Sequence, residues 1–273
     1  MTTRTTPDTD PRDIPVVILC GGMGTRLREA SEKLPKPLVD IGGRPILWHI
    51  MKIYSEHGFR RFVLALGYKS DLIKQYFLDY RHLTSDFTLH LGSDEEPKWH
   101  STVGAEDWEV TFVETGLKTA TAARIKRLAS YLDQPEFAVT YGDGIGNVDI
   151  TSLLAHHREK GLVGTLTGVH PSSRFGEMHV QGTTVTEFNE KPTLAEGWVN
   201  GGFFIFQREF IDQYIDGQDV MLESAPLQQL ARDRQLSVFE HNGFWMGMDT
   251  FRDWTELNER WDSGDAPWKI WKD

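Results

Sequence analysis

The sequence predicts a doubly wound α/β fold with a mostly parallel sheet. Its strongest apolar segments are continuous runs, such as the one from Val16 to Cys20, and not alternating patterns. Continuous runs are typical of strands that are buried on both faces. Helical patterns separate these runs, and strands that alternate with helices favour a right-handed, doubly wound sheet. The size agrees, because 273 residues with 39% hydrophobic residues suffice for one large domain with a substantial core.

The first half of the chain gives each element a recognisable start or end. The first apolar run stops at a glycine cluster, which marks the end of a strand. Pro45 suits the first turn of a helix and Gly58 suits its end, with isoleucines at helical spacing between them. Asp71 is the expected N-cap of the following helix. Strands are predicted at 16–20, Arg61–Leu66, 110–114 and 137–141, with helices at 45–58, 71–80 and 120–132.

The pattern changes after about residue 164, where shorter strands alternate with turns. This arrangement predicts a smaller, mixed and partly antiparallel substrate lobe attached to the Rossmann-like sheet. We expect a disordered leader at 1–13 and one domain at 14–273, with one half at about 14–150 and the other at about 151–273. Strands are predicted at 164–169, 178–181, 184–189 and 201–207, with helices at 149–160, 225–234 and 250–260.

Composition excludes several classes of protein. The net charge is −11 and no run of like charge reaches five residues, which argues against a nucleic-acid partner. No apolar run approaches the roughly 18 residues of a membrane span, so no membrane partner is expected. The single cysteine, Cys20, allows no intramolecular disulfide, which suits a reducing cytoplasm. None of the ten histidines has partners at metal-ligand spacing, so we expect them to be structural or exposed.

A candidate phosphate-binding loop, Gly-Gly-Met-Gly-Thr-Arg-Leu at 21–27, follows the first strand directly. Glycines let successive backbone N–H groups approach a phosphate, and Arg26 adds a forked cation. Lys36 stands between two prolines that stiffen the backbone, which suits a fixed positive charge beside a reacting phosphorus. The loop lacks the Gly-Lys-Ser/Thr of a P-loop and the third glycine of a dinucleotide fingerprint. An ordinary glycine turn with solvated cations is the remaining alternative.

These residues resemble the sugar-1-phosphate nucleotidylyltransferase superfamily, which carries the same loop followed by Pro-Lys-Pro, and more narrowly the glucose-1-phosphate cytidylyltransferases. The resemblance implies that a sugar 1-phosphate, glucose 1-phosphate in this branch, attacks CTP and releases pyrophosphate with Mg²⁺ as cofactor. It also implies a homo-oligomer, and it makes 14–150 the nucleotide-binding half of the domain and 151–273 the sugar-binding half. The segments that carry it are IGGRPILWHIMK (41–52), TYGDG (140–144), RFG (174–176), EKP (190–192), NGGFF (200–204), FW (244–245), MDT (248–250) and APWK (266–269).

The resemblance assigns roles to individual residues. Arg26, Lys36 and Lys191 are the catalytic cations, and Asp143 and Asp249 are the metal ligands, since Mg²⁺ takes one or two carboxylates besides phosphates. The sugar phosphate is expected to contact Arg174, Glu190, Lys191, Asn200 and Gly201. The nucleotide is expected to contact Leu19, Cys20, Gly21, Gly22, Met23, Gly24, Thr25, Arg26, Lys36, Thr119, Arg124 and Gly142.

Structural alternatives stand beside these roles. Asp143 has the sequence context of a turn aspartate, and Asp249 that of a cap for the helix at 250–260. Arg124 and Lys191 have the character of solvated surface charges, and Asn200 suits a turn at the start of a strand. Cys20 suits a small core residue, and the tryptophans at 245, 261, 268 and 271 suit packing of the C-terminal region or a subunit interface.

The sequence departs from the cytidylyl pattern at 119–124, 222–226 and 245–248. The first segment has alanines where the family has two glycines before the arginine, which bears on the identity of the base. The other two bear on the sugar pocket. A relative that uses GTP or UTP with another sugar 1-phosphate is therefore an alternative, as is a catalytically silent nucleotide-sugar-binding regulator. A cofactor-binding oxidoreductase is disfavoured by the missing third glycine.

Overall fold

The computed structural model describes residues 9–22, 34–100, 106–170, 177–181, 184–189 and 197–272. The helices in this part are α1 (Ile46–Glu56), α2 (Ser70–Leu78), α3 (Tyr80–Thr84), α4 (Thr121–Arg127), α5 (Ile150–Lys160), α6 (Glu209–Gln213), α7 (Ala225–Arg232) and α8 (Phe251–Asp262), with short 3-10 turns at Lys36–Leu38 and Ala129–Tyr131. The strands are β1 (Pro15–Leu19), β2 (Asp40–Ile41), β3 (Arg44–Pro45), β4 (Arg61–Leu66), β5 (Phe87–Thr88), β6 (Lys98–Trp99), β7 (Glu109–Glu114), β8 (Glu136–Tyr141), β9 (Gly144–Gly146), β10 (Gly164–Val169), β11 (Glu177–Gln181), β12 (Thr184–Asn189), β13 (Val199–Gln207), β14 (Leu236–His241) and β15 (Trp245–Gly247).

A seven-stranded sheet in the order β14-β10-β13-β8-β1-β4-β7 forms the centre of the molecule. Strands β8, β1, β4 and β7 pair in parallel, as do β10 and β14, while β13 runs antiparallel to both of its neighbours. The predicted mostly parallel sheet is confirmed. The strands of the second half include three that extend this sheet, and the β11–β12 pair forms a separate small antiparallel sheet.

Hydrophobic layers cover both faces of the sheet, as a doubly wound fold requires. In β1, Val16 and Ile18 belong to one cluster of buried side chains, which includes most of α1. Val17 and Leu19 belong to the cluster on the opposite face, with Ala122 and Ile125 of α4. Because β1 is buried on both faces, its sequence is apolar at every position.

The strand order changes direction beside β1. Along the chain, β4 and β7 are added on one side of β1, whereas β8 lies against its other side. In open α/β sheets, ligands bind in the crevice that opens at the carboxyl ends of the strands at such a switch point. The residues that follow β1 and β8 are therefore placed for ligand binding.

Several predicted boundaries need correction. Asp71 is not the N-cap of α2, because Lys69 holds that position in the left-handed conformation, with φ 50°, and Asp71 lies in the first turn. The helix predicted at 71–80 ends at Leu78 and a separate short helix, α3, follows. The helix predicted at 120–132 is α4 up to Arg127 and continues only as a 3-10 turn.

Residues 9–13, predicted as the end of a leader, are held against the domain. The guanidinium of Arg158 donates a hydrogen bond of 2.5 Å to the carbonyl of Thr9, and Arg61 donates one of 2.8 Å to the carbonyl of Asp13. Ile14, the next residue, is fully buried. None of the helices in the described part of the chain has both the length and the apolar character that a membrane crossing requires.

Candidate active site

Two aspartates that are distant in sequence lie side by side at the carboxyl end of the sheet. Asp143 directly precedes β9, and β9 pairs antiparallel with β15 so that Gly144 faces Gly247. The amide of Met248 extends this ladder, donating a hydrogen bond of 2.9 Å to the carbonyl of Asp143. Asp249 follows immediately, so the β9–β15 pairing brings the two carboxylates together.

Lys36 lies between these carboxylates. Its Nζ donates hydrogen bonds of 2.6 Å to Asp143 Oδ2 and 2.8 Å to Asp249 Oδ1. The lysine side chain is 11% exposed, whereas those of the aspartates are 38% and 36% exposed. Burial alone would lower the pKa of Lys36, but the attraction of both carboxylates outweighs it and raises that pKa. The result is an ammonium held between two anions that face solvent.

The backbone around Lys36 explains its fixed position. Pro35 is extended, with φ −66° and ψ 147°, and Pro37 lies in the first turn of the 3-10 segment, so prolines set the chain direction on both sides. Pro37 also packs on the turn after β8. A Cβ on Gly142 would lie 3.3 Å from Pro37 Cγ and 3.0 Å from the carbonyl oxygen of Leu19. Glycine at 142 therefore allows β1, β8 and the lysine turn to meet.

Asp249 is not the cap of helix α8. The N-cap is Thr250, whose hydroxyl accepts a hydrogen bond of 3.2 Å from the amide of Asp253. The Asp253 carboxylate accepts in return from the amides of Thr250 and Asp249, at 2.8 and 3.0 Å, completing a capping box. The capping alternative for Asp249 is thus wrong, and its side chain points to Lys36.

The residues present fit a hard divalent cation that binds together with phosphates. In the described part of the chain, no group of three or more His, Cys, Asp or Glu side chains could hold a metal alone. The Asp143–Asp249 pair offers two carboxylates, both more than a third exposed. Magnesium commonly binds through one or two carboxylates, with water and substrate phosphates as its other ligands. Such an ion would compete with Lys36 for the same oxygens.

The start of the candidate phosphate loop is anchored from behind by Arg124. This side chain is 4% exposed, and its Nη2 donates 3.1 Å to the carbonyl of Gly21. Nη1 donates to the carbonyl of Leu66 at 3.0 Å and to the hydroxyl of Thr115 at 2.6 Å. The solvated-surface alternative for Arg124 is therefore wrong. The described contacts hold this guanidinium against the carbonyl of Gly21, and its contact with a nucleotide stays a prediction.

The other described residues of the predicted nucleotide pocket lie at the ends of β1 and near α4. Leu19 and Cys20 are buried, and burial raises the pKa of the Cys20 thiol, which agrees with a small core residue. Gly22 has no described atom within 4 Å of where its Cβ would lie. The hydroxyl of Thr119 accepts a hydrogen bond of 2.9 Å from Arg127.

Asn200 and Gly201 lie at the start of β13, close to the aspartates. The carbonyl of Gly201 accepts a hydrogen bond of 2.7 Å from Trp245 Nε1, and Trp245 belongs to β15, the strand that leads to Asp249. The amide nitrogen of Asn200 donates 3.2 Å to the hydroxyl of Tyr141, two residues before Asp143. The structure thus links Asn200 and Gly201 to the strand segments that lead to the two aspartates.

Sequence reasoning missed Tyr141 and Glu223 as residues of this region. Tyr141 is the last residue of β8 and donates a hydrogen bond to the Glu223 carboxylate. Its place at the carboxyl end of a buried strand, directly before Gly142 and Asp143, was the available signal. Glu223 lies in the segment 222–226 that departs from the family pattern, but nothing local in the sequence indicates its partner.

Several predicted site residues lie outside the described residues. They stay predictions, and they are Met23, Gly24, Thr25, Arg26, Arg174, Glu190 and Lys191.

Buried histidines and tryptophans pack in the interior of the domain. His49 is fully buried, and Trp268 and Trp271 pack near its ring, at centroid distances of 6.4 and 5.9 Å. His157 is also buried and contacts the hydroxyl of Thr165 at 2.8 Å. Trp268 and Trp271 are therefore core residues, Trp245 and Trp261 are partly buried against the same cluster, and a subunit interface stays a prediction.

Comparison with known proteins agrees with this geometry. The family model described as nucleotidyl transferase matches residues 15–263. A glucose-1-phosphate cytidylyltransferase from Salmonella typhi is 45% identical over 94% of this chain and 99% of its own length. A probable glucose-1-phosphate cytidylyltransferase from Bacillus subtilis (strain 168) is 42% identical over 93% of this chain and 99% of its own. Among solved structures, HddC from Yersinia pseudotuberculosis complexed with GMP-PN has a similar fold, with a TM-score of 0.66 at 23% identity over 91% of this chain and 99% of its own.

Proposed function

The chain belongs to the nucleotidyl transferase family, and from this premise we propose that it transfers a cytidylyl group from CTP to glucose 1-phosphate, giving CDP-glucose and pyrophosphate. In this reaction an oxygen of the sugar phosphate bonds to the α-phosphorus of CTP. The bond from that phosphorus to the bridging oxygen of the β-phosphate breaks, and pyrophosphate leaves with the electron pair.

The observation that carries the proposal is the convergence of Lys36, Asp143 and Asp249 at the end of β8. Phosphoryl-type displacement needs positioning and charge neutralisation more than covalent catalysis. A lysine fixed by prolines can offset negative charge that develops at the α-phosphorus. Of the glycines in this region, Gly22 has no described atom within 4 Å of where its Cβ would lie, which leaves room for a nucleotide to approach the backbone after β1.

The proposed cofactor is Mg²⁺, held by Asp143 and Asp249. When bound, this ion would neutralise phosphate charge and help the pyrophosphate to leave. The Asp143 side chain is exposed enough to accept such a ligand. Lys36 would then release its carboxylate contacts and be available to phosphate oxygens.

A substrate panel tests the proposal. The purified protein is mixed with Mg²⁺, one of four nucleoside triphosphates and one of several sugar 1-phosphates, and pyrophosphate is measured. We expect release with CTP and glucose 1-phosphate at a rate well above every other pair. Release with GTP or UTP and another sugar phosphate would instead assign the protein a different pair of substrates within the same family. No release with any pair would contradict enzymatic transfer and favour the silent nucleotide-sugar-binding regulator.

We further propose that the protein acts in the cytoplasm as a homo-oligomer. The buried, unpaired thiol of Cys20 is compatible with a reducing compartment. Light scattering coupled to size exclusion would report a multiple of the 31.2 kDa chain mass. A species at the chain mass at all concentrations would contradict the oligomer.

A further inference from the structure

A chain of hydrogen bonds connects the nucleotide half of the molecule to the sugar half through one exposed carboxylate, that of Glu223. This residue lies in the turn before α7. One carboxylate oxygen accepts a hydrogen bond from the hydroxyl of Tyr141, and the other accepts one of 3.4 Å from the hydroxyl of Thr121, the first residue of α4. Tyr141 in turn contacts Asn200.

The groups at the two ends of this series of hydrogen bonds determine which atom donates and which accepts in each bond. A carboxylate can only accept, so Tyr141 must donate its proton to Glu223 and accept from Asn200 Nδ2 at 3.2 Å. At the other end, the amide of Gly202 can only donate, and Asn200 Oδ1 accepts from it at 3.0 Å. The Asn200 amide therefore has one possible orientation.

The backbone seats the ring of Tyr141 in a fixed place. Gly202 has φ +80°, and a Cβ there would lie 2.4 Å from the tyrosine ring, so only glycine lets the ring approach β13. The ring also packs edge-on to Phe204 at a centroid distance of 5.8 Å. Tyr141 thus has little freedom except in its hydroxyl, whose direction Glu223 sets.

The turn that carries Glu223 is itself attached to the start of α4. The amide of Ala120 donates 2.7 Å to the Asp219 carboxylate, and the amide of Leu222 donates 2.7 Å to the hydroxyl of Thr121. The segment that carries Glu223 is therefore hydrogen-bonded to Ala120 and to Thr121. A displacement at the start of α4 would reach Tyr141 through the Glu223 carboxylate.

From these contacts we infer that Glu223 is a positioning residue for the sugar phosphate, which fixes Tyr141 and through it directs the second N–H of Asn200 toward a sugar hydroxyl. The inference rests on the proposed function, and it assigns a role to a side chain that itself touches no substrate. Loss of Glu223 should weaken recognition of the sugar while the nucleotide contacts remain.

Steady-state kinetics with CTP and glucose 1-phosphate test this role. Glu223→Ala should raise the KM for the sugar phosphate about tenfold and change the KM for CTP less than twofold. Glu223→Gln keeps an oxygen that can accept from Tyr141, so its KM should stay within about threefold of the wild-type value. Glu240→Gln, a change at an exposed glutamate of β14, is the matched control and should have no effect.

A double variant separates positioning from general destabilisation. Tyr141→Phe breaks the same chain as Glu223→Ala, so the variant with both changes should have the sugar KM of either one alone. The inference would be overturned if the two changes multiplied their effects on the sugar KM, or if the KM values for both substrates rose equally. A lower melting temperature with an unchanged sugar KM would also overturn it. An equal loss in Glu223→Gln and Glu223→Ala would also overturn it. Failure of the proposed function has a different signature, because the wild-type protein would then release no pyrophosphate.

Discussion

Replacing Lys36 with methionine should make the carboxylate pair bind a divalent cation more tightly in the absence of nucleotide. The ammonium donates to Asp143 at 2.6 Å and to Asp249 at 2.8 Å, so a cation must displace both contacts in the wild-type protein. Methionine keeps most of the apolar stem of lysine and removes the charge. The two carboxylates then remain together because the β9–β15 pairing, not the lysine, holds their backbone in place.

The size of the effect follows from the exposure of the three groups. Hydrogen bonds between charged groups contribute about 1.5–3 kcal/mol each in general. Both aspartates are more than a third exposed, so water screens these contacts and we take about 1 kcal/mol for each. Removing about 2 kcal/mol of competition corresponds to roughly 30-fold tighter cation binding. The same loss should lower the melting temperature of the metal-free protein by roughly 4–8 °C.

Titration with Mn²⁺, a paramagnetic substitute for Mg²⁺, measures the affinity through the signal of the free ion. The variant Lys36→Met with Asp143→Asn should lose the gain, because one of the two carboxylates is gone. Lys160→Met makes the same change in net charge at a lysine that is 45% exposed and should leave Mn²⁺ affinity unchanged. The reasoning is refuted if Lys36→Met binds Mn²⁺ no more tightly than the wild type, or if the gain persists in the double variant.

Two further predictions concern the loop and the buried histidines. A Cβ on Gly21 would lie 2.1 Å from the Arg124 guanidinium, so Gly21→Ala should destabilise the protein by about 1–3 kcal/mol in thermal denaturation. Gly22→Ala is the matched control and should have no such effect. Equal melting temperatures for the two variants would contradict this prediction. Burial lowers the pKa of His49 and of His157 to about 4, so the folded protein keeps both neutral while the unfolded chain binds protons below about pH 6.5. Urea denaturation should therefore show the free energy of unfolding falling from pH 6.5 to 4, with roughly 1.4 kcal/mol per pH unit from each histidine, and a flat profile would oppose that contribution.

The sequence predicts the central strands well because their environment is uniform. Every residue of β1 is buried, so the strand has to be apolar throughout, and its pattern is visible without knowledge of its neighbours. The same holds for β4, whose predicted and observed bounds coincide. The helix predicted at 149–160 is also observed as α5, and the structure adds its cap, since the Asp149 carboxylate accepts a hydrogen bond of 2.9 Å from the amide of Ser152.

Features that depend on distant partners are harder to predict. Asp143 is recognisable at the end of a strand, but its proximity to Asp249 depends on the pairing of β9 with β15. Both strands are short and contain glycine, so the sequence does not predict this pairing. The family resemblance, not the local pattern, supplied that expectation. Arg124 has the sequence context of an exposed helix residue, yet its guanidinium donates hydrogen bonds to carbonyls of β4 and of the glycine turn.

The missed Tyr141–Glu223 contact has the same origin. Glu223 lies in a turn between short helices, where sequence patterns carry little information about tertiary partners. Its role becomes visible only when β13 brings Asn200 next to the end of β8. The Lys69 cap of α2 was also unpredictable, because lysine seldom adopts the left-handed conformation that it has there.

The rate of pyrophosphate release by Asp143→Asn, measured with saturating Mg²⁺, CTP and glucose 1-phosphate, tests the central claim most directly. The account predicts a rate at least 100-fold below that of the wild type, in the range found when one charge-stabilising group is removed from an active site, with an unchanged circular dichroism spectrum. Asp149→Asn, a nearby change that preserves a helix cap, should keep the wild-type rate. A near-normal rate in Asp143→Asn would contradict the assignment of this carboxylate to the reacting phosphates and their cation.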